Sequence, residues 1–344
     1  MKSYKIFFVA ALLTTGAAGA ADNPTPGVGP GANGARYATD AYPGFDSEDT
    51  MVKPERKEPR WFSFIFGPDR DNAADQLAYC EELIAAGKYS KACGRLDALV
   101  REWPTSHEAP KAQLLHADLC YEKLQDYEDA FAEYRYMLDF YSLQCDYEKV
   151  ADRLYELAGI LKIEGKEVMF VRFANTVDVR RAYETCILRA PGAKWVPDAM
   201  LTIGALREDE GKFGEAVKVY ENLRNLFPDT NHARTAILAE AKVRMKILSD
   251  HAYNRARCQD TISFMLMAMR LGKTEDVGTF QSYLSETQAL VENEDFMAAK
   301  FYDSTTRTRR SAISAYERFL AEHPQSERAD WVRERLADLK GEDK

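Results

Sequence analysis

Residues 197–230, PDAMLTIGALREDEGKFGEAVKVYENLRNLFPDT, carry two apolar runs on either side of Gly211-Lys212-Phe213. In the first run Ala199, Met200, Ile203, Gly204 and Leu206 recur at helical spacing. The second holds Ala216, Val217, Val219, Tyr220, Leu223 and Leu226, with Tyr220 and Leu223 four and seven positions after Ala216 and therefore on its face. The small residues Gly204 and Ala216, twelve apart, predict a close approach of two antiparallel helices. Pro228 has no N–H to donate and restricts the residue before it, so the second helix ends there.

This order of small residue, alanine, tyrosine, leucine and proline resembles the tetratricopeptide repeat (TPR), a helical hairpin of about 34 residues. One such hairpin cannot bury its own apolar face, so neighbours are expected. In 73–106, Leu77, Cys80, Leu83 and Ile84 precede Gly87-Lys88-Tyr89, and Ala92, Leu96 and Leu99 lead to Pro104. In 111–142, Leu114, Ala117 and Tyr121 precede Asp126-Tyr127, then Ala130, Tyr134 and Met137. A stretched unit over 147–190 has Gly165–Thr176 between its helices, and 231–271 is divergent, with Met265, Met267 and Met269 read as core packing. The last unit runs from Thr279 to Pro324, and Ser326–Leu339 has the polar outer face that closes a solenoid. The expectation is an all-α TPR solenoid over 71–340, of about five units and a C-terminal capping helix.

Met1–Ala20 has the layout of a secretory signal: Lys2 and Lys5, an apolar run Ile6–Leu13, and Ala18-Gly19-Ala20. Its removal takes away both lysines and lowers the formal charge from −9 to −11. That charge argues against a general nucleic-acid binder, which needs a basic face. Residues 21–70 form a Pro/Gly-rich linker ending in an aromatic cluster, Trp61, Phe62, Phe64 and Phe66. These rings either fold back on the first hairpin or contact a partner or membrane surface. Of the six cysteines, Cys80–Cys93 and Cys120–Cys145 are conceivable bridges, but the favoured reading is small buried residues at helix contacts.

A catalytic constellation is not legible, and no GxSxG, HExxH or phosphate-binding glycine loop occurs. His116 and Cys120 stand four apart on one helix face, but two donors without a third do not make a metal site, so no metal or cofactor is expected. Arg207–Glu210 and Arg307–Arg310 read as solvated helix ends. Binding is the positive expectation. First helices of such a stack line a groove for a peptide, which by repeat position involves Leu77, Glu81 and Ile84, then Leu115, Leu119, Glu122 and Lys123, then Leu201, Ala205 and Glu208.

The signal, the linker, the five units with a stretched third, and residues 294–324 (EDFMAAKFYDSTTRTRRSAISAYERFLAEHP) together resemble the BamD outer-membrane assembly lipoprotein family. The chain departs from that family in lacking a cysteine before Cys80, so acylation is not carried over. The resemblance implies a non-enzymatic periplasmic scaffold that binds barrel-assembly subunits and unfolded outer-membrane protein segments. It also implies peripheral membrane association through a partner. Alternative readings are an adaptor of the peptidoglycan or division machinery similar to the CpoB family, a part of a surface or secretion assembly, and an envelope hydrolase with a helical accessory domain.

Overall fold

A computed structural model describes residues 55–58, 67–164, 176–250, 252–271, 274–304 and 309–341. The signal region, the aromatic cluster Trp61–Phe66 and most of the Gly165–Thr176 connection lie outside the described residues. All regular structure within them is helical. The first four helices are α1 (Ala73–Ala85), α2 (Tyr89–Glu102), α3 (Ala109–Leu119, continued by a π-helical turn Cys120–Leu124) and α4 (Tyr127–Phe140). Then come α5 (Tyr147–Glu164), α6 (Thr176–Arg189), α7 (Val196–Asp209) and α8 (Phe213–Leu226). The remainder are α9 (Asn231–Asp250), α10 (Arg255–Leu271), α11 (Thr274–Asp303), α12 (Arg309–Glu322) and α13 (Ala329–Gly341). None of the described helices is long and apolar enough to cross a membrane.

Consecutive helices pack on one another from α1 to α13, giving the all-α solenoid of hairpins with a closing helix. The divergent segment 231–271 is where the pattern changes. Its helix α9 packs mainly on α8, and α10 mainly on α11, while α9 and α10 touch each other less. The regular pairing therefore lapses at α9 and α10, and α11 begins at Thr274, ahead of the expected Thr279.

Turn chemistry sets the hairpins. Gly87 and Gly211 take left-handed conformations with φ of 71° and 73°, which L side chains rarely adopt. After each, the lysine N–H reaches back to close the helix, Lys88 to the Leu83 carbonyl and Lys212 to the Arg207 carbonyl, both at 2.9 Å. In the second unit Gln125 takes the left-handed position with φ 54°, and the Asp126 N–H reaches the Cys120 carbonyl at 3.0 Å across the π turn. The wider turn accommodates an extra residue before the chain reverses.

One apolar core runs without a break from Leu77 through Leu96, Leu99, Leu157, Ile187, Ile203 and Leu223 to Val243. A fully buried leucine such as Leu96 or Leu99 contributes about 1.5–3 kcal/mol relative to exposure. A second cluster joins Ile237, Phe264, Met265 and Phe280, in accord with core packing of the methionine stretch. The third joins Ala299 with Tyr316, Phe319, Val332 and Leu336, so the long α11 bridges the two. Helix α13 turns Val332, Leu336 and Leu339 inward and Arg333, Glu334 and Asp338 outward, as a closing helix must.

Residues 55–58, assigned to the linker from sequence, lie across α2 and α4. Lys57 Nζ pairs with Asp97 at 3.0 Å and with Glu133, and Arg56 sits over the Phe140 ring at 4.9 Å. The Arg101 guanidinium donates to the Glu58 carbonyl at 3.1 Å.

Candidate functional site

Polar groups link the first helices of successive units along one face. Lys111 of α3 pairs with Glu81 of α1 at 2.7 Å, and Tyr121 donates to Glu156 of α5 at 2.8 Å. Arg234 of α9 pairs with Asp276 of α11 at 2.6 Å. Burial raises the Glu156 carboxyl, but hydrogen bonds from Tyr121 and Arg153 outweigh it and hold the group below its ordinary range.

Between α5 and α7 this face opens into a cleft of about 740 Å³. Its walls are the start of α5 (Tyr147, Ala151, Tyr155) and the α6–α7 loop ending at Trp195. The Tyr155 and Trp195 rings are parallel, 4.6 Å between centroids and 2° between planes. Each also donates to a carboxylate on the other's helix: Tyr155 to Asp198, and Trp195 Nε1 to Asp152 at 2.9 Å. The reciprocal bonds fix both rings while leaving each half-exposed. Glu148, Asp152 and Lys194 are exposed at the rim. Fixed aromatic surface with mixed charge at its edge suits an extended or helical polypeptide segment, because rigid rings give contact area at little entropic cost.

Of the residues expected to line the groove, Glu81, Glu122, Lys123 and Ala205 are exposed, and Ile84, Leu115, Leu201 and Glu208 are half-buried. Leu77 and Leu119 are corrections. They are 8% and 6% exposed and belong to the main apolar core, because a leucine gains more from burial than from a solvent-facing groove. Glu208 is committed to its own hairpin, where it accepts from the Tyr220 hydroxyl at 2.5 Å. The cleft residues Tyr155 and Trp195 were not expected. A tryptophan directly before the helix start Val196-Pro197 is the signal in the sequence that marks them.

Arg207 is a further correction. It is fully buried with Arg180 and Glu184. Arg180 bridges Glu184 and Glu210, each at 2.7 Å, and Arg207 reaches Glu215 at 2.7 Å and Glu184 at 3.4 Å. The network ties α6, α7 and α8 together. Desolvation raises Glu210, but the Arg180 and Arg207 guanidiniums outweigh it and hold its carboxyl low. Arg309, expected as a solvated end, donates to the Leu339 carbonyl at the end of α13; Arg307 and Thr308 lie outside the described residues.

At the C-terminal end Asp295, Glu322 and His323 gather, but Arg255 already pairs with both carboxylates, and His323 Nε2 lies 2.9 Å from Asp295. All six cysteines are free thiols, and all but Cys145 are buried, in keeping with small residues at helix contacts.

A family model agrees with the hairpin at residues 198–230. The tetratricopeptide repeat family model matches residues 198–230, so the stretch with the clearest repeat spacing is a TPR unit. No curated protein matches the sequence. Among solved structures, the chain is similar to a tetratricopeptide repeat protein from Parabacteroides merdae, at 11% identity and a TM-score of 0.27, over 78% of this chain and 98% of that one.

Proposed function

We propose that this chain is an exported, non-enzymatic scaffold that binds polypeptide partners in the periplasm during outer-membrane β-barrel assembly. The observation that carries polypeptide binding is the cleft between α5 and α7, where Tyr155 and Trp195 are held parallel by reciprocal hydrogen bonds and remain accessible. Tetratricopeptide repeats serve as protein-interaction scaffolds, and one unit of that family directly follows the cleft. Export rests on the Lys2/Lys5, Ile6–Leu13 and Ala18-Gly19-Ala20 layout of the N-terminus. The barrel-assembly role rests on the resemblance of 294–324 and of the repeat arrangement to the BamD family.

Cross-linking intact envelopes and purifying the tagged chain tests the reading. Barrel-assembly subunits or barrel precursors should be enriched in the periplasmic, cross-linked fraction. Recovery of the chain from the cytoplasm, or with neither class of partner, contradicts it.

A further inference from the structure

The sequence supplies two metal donors four apart, His116 and Cys120, and the fold brings a third. Cys93 of α2 faces them, and the two sulfurs and one imidazole nitrogen all lie within 4.8 Å of one another. The three residues are buried, at 6%, 8% and 2% exposure for Cys93, His116 and Cys120. We infer that Cys93, His116 and Cys120 form a zinc site between the first and second units, with Glu133 orienting the histidine.

Zn–S bonds of about 2.3 Å and Zn–N bonds of about 2.0–2.1 Å separate tetrahedral donors by about 3.5–3.8 Å. From the present spacing, closure asks for a contraction of about 1.3 Å at most, within reach of small side-chain rotations. Coordination through Nε2 leaves Nδ1 facing Glu133, whose Oε2 lies 3.4 Å away in an ion-pair contact that a small ring rotation would turn into a hydrogen bond. Such a carboxylate fixes the ring's orientation and tautomer and makes it a better ligand. Glu133 is itself held by Lys57 and by Gln113 Nε2 at 2.6 Å, so it is not free to swing away. Cys120 opens the π-helical turn that ends α3, so its sulfur lies at the end of the helix that carries His116.

Lys57 and Arg101 offset the Glu133 and Asp97 carboxylates beside the cluster, and a zinc ion takes His116 as the neutral imidazole and the two cysteines as thiolates. Zinc binding exchanges two thiol protons for one ion, Zn²⁺ + 2 RSH → Zn(SR)₂ + 2 H⁺, with both protons released to solvent. No electron moves. Neither cysteine pairing conceivable from sequence joins these two sulfurs. The proximity of Cys93 and Cys120 is a product of the α2–α3 contact.

The test is titration of the purified full-length chain, fully reduced, with Co²⁺ as a spectroscopic stand-in. The expected result is a thiolate-to-cobalt charge-transfer band that saturates at one ion per chain and is abolished by one equivalent of Zn²⁺. Cys93→Ser and Cys120→Ser should each remove the band, whereas Cys186→Ser, a buried thiol outside the cluster, should keep it. Because core variants can unfold, alkylation of the unmodified chain provides a second readout. Zinc should slow modification of Cys93 and Cys120 about tenfold or more and leave Cys186 unchanged. Absence of the band in a folded chain with all six thiols reduced overturns the inference. So does a band that persists in the Cys93→Ser/Cys120→Ser double variant.

Discussion

The ring of Tyr220 occupies the space that a side chain at Gly204 would need. A Cβ at residue 204 would lie 2.3 Å from Tyr220 Cε1, and the ring is 2% exposed. The partner of Gly204 across the fourth hairpin is therefore Tyr220, one helical turn beyond the Ala216 expected from spacing. Gly204→Ala should overpack this contact and cost about 1–3 kcal/mol in a denaturant melt. Tyr220→Phe keeps the ring and removes only its bond to Glu208, so a smaller loss of about 0.5–1.5 kcal/mol is expected. Equal losses would place the constraint in the hydroxyl and not in the ring.

Removing one member of the α6–α8 ion network should be severe. Arg207→Met removes one of the two guanidiniums that pair with the buried Glu184 and with Glu210, together with the Glu215 contact. The expected cost is about 3–5 kcal/mol, measured as a shift in the unfolding midpoint. An effect under about 0.5 kcal/mol, typical of an exposed position, would mean that Arg207 is solvated in solution.

Glu210 gives the network a pH signature. Its folded carboxyl is held below the unfolded value by Arg180 and Arg207. Its stabilising contribution is thus fully present above the ordinary glutamate pKa of about 4.3 and is lost as pH falls through the folded value. Glu210→Gln should be less stable than the parent near neutrality and should flatten the fall in stability on the acid side. Parallel pH curves for parent and variant would remove Glu210 from the network.

The docked segment 55–58 predicts protection from trypsin. Arg56 and Lys57 are held by Phe140, Asp97 and Glu133, so cleavage after them should be slow in the folded chain. Asp97→Asn weakens one partly buried ion pair, worth about 1 kcal/mol, and should speed cleavage there about fivefold. An unchanged rate would show that Asp97 does not hold the segment.

The hairpins were legible because their signals are local. Gly87 and Gly211 fix turns, Pro228 stops a helix, and Ala92, Ala130 and Ala216 fall on buried faces. Arg180, Glu184 and Arg207 were not legible, since a charge buried against an opposite charge is written with the same letters as a solvated one. Their burial depends on α6 and α7 meeting, which no window of sequence contains. The same holds for Cys93 beside His116 and Cys120, and for the parallel Tyr155 and Trp195 rings. Leu77 and Leu119 were placed on the groove by repeat position, but small differences in helix rotation turn them into the core.

Site-specific photocross-linking tests the central claim most directly. A photoreactive residue at Lys194, exposed at the cleft rim, is compared with one at Lys218, exposed on the second helix of the neighbouring hairpin. Incubation with an unfolded outer-membrane barrel precursor should give adducts from position 194 and few from 218. Trp195→Ala should weaken binding about tenfold, the equivalent of about 1.4 kcal/mol. Equal labelling from both positions, or affinity unchanged by Trp195→Ala, contradicts a polypeptide-binding cleft between α5 and α7.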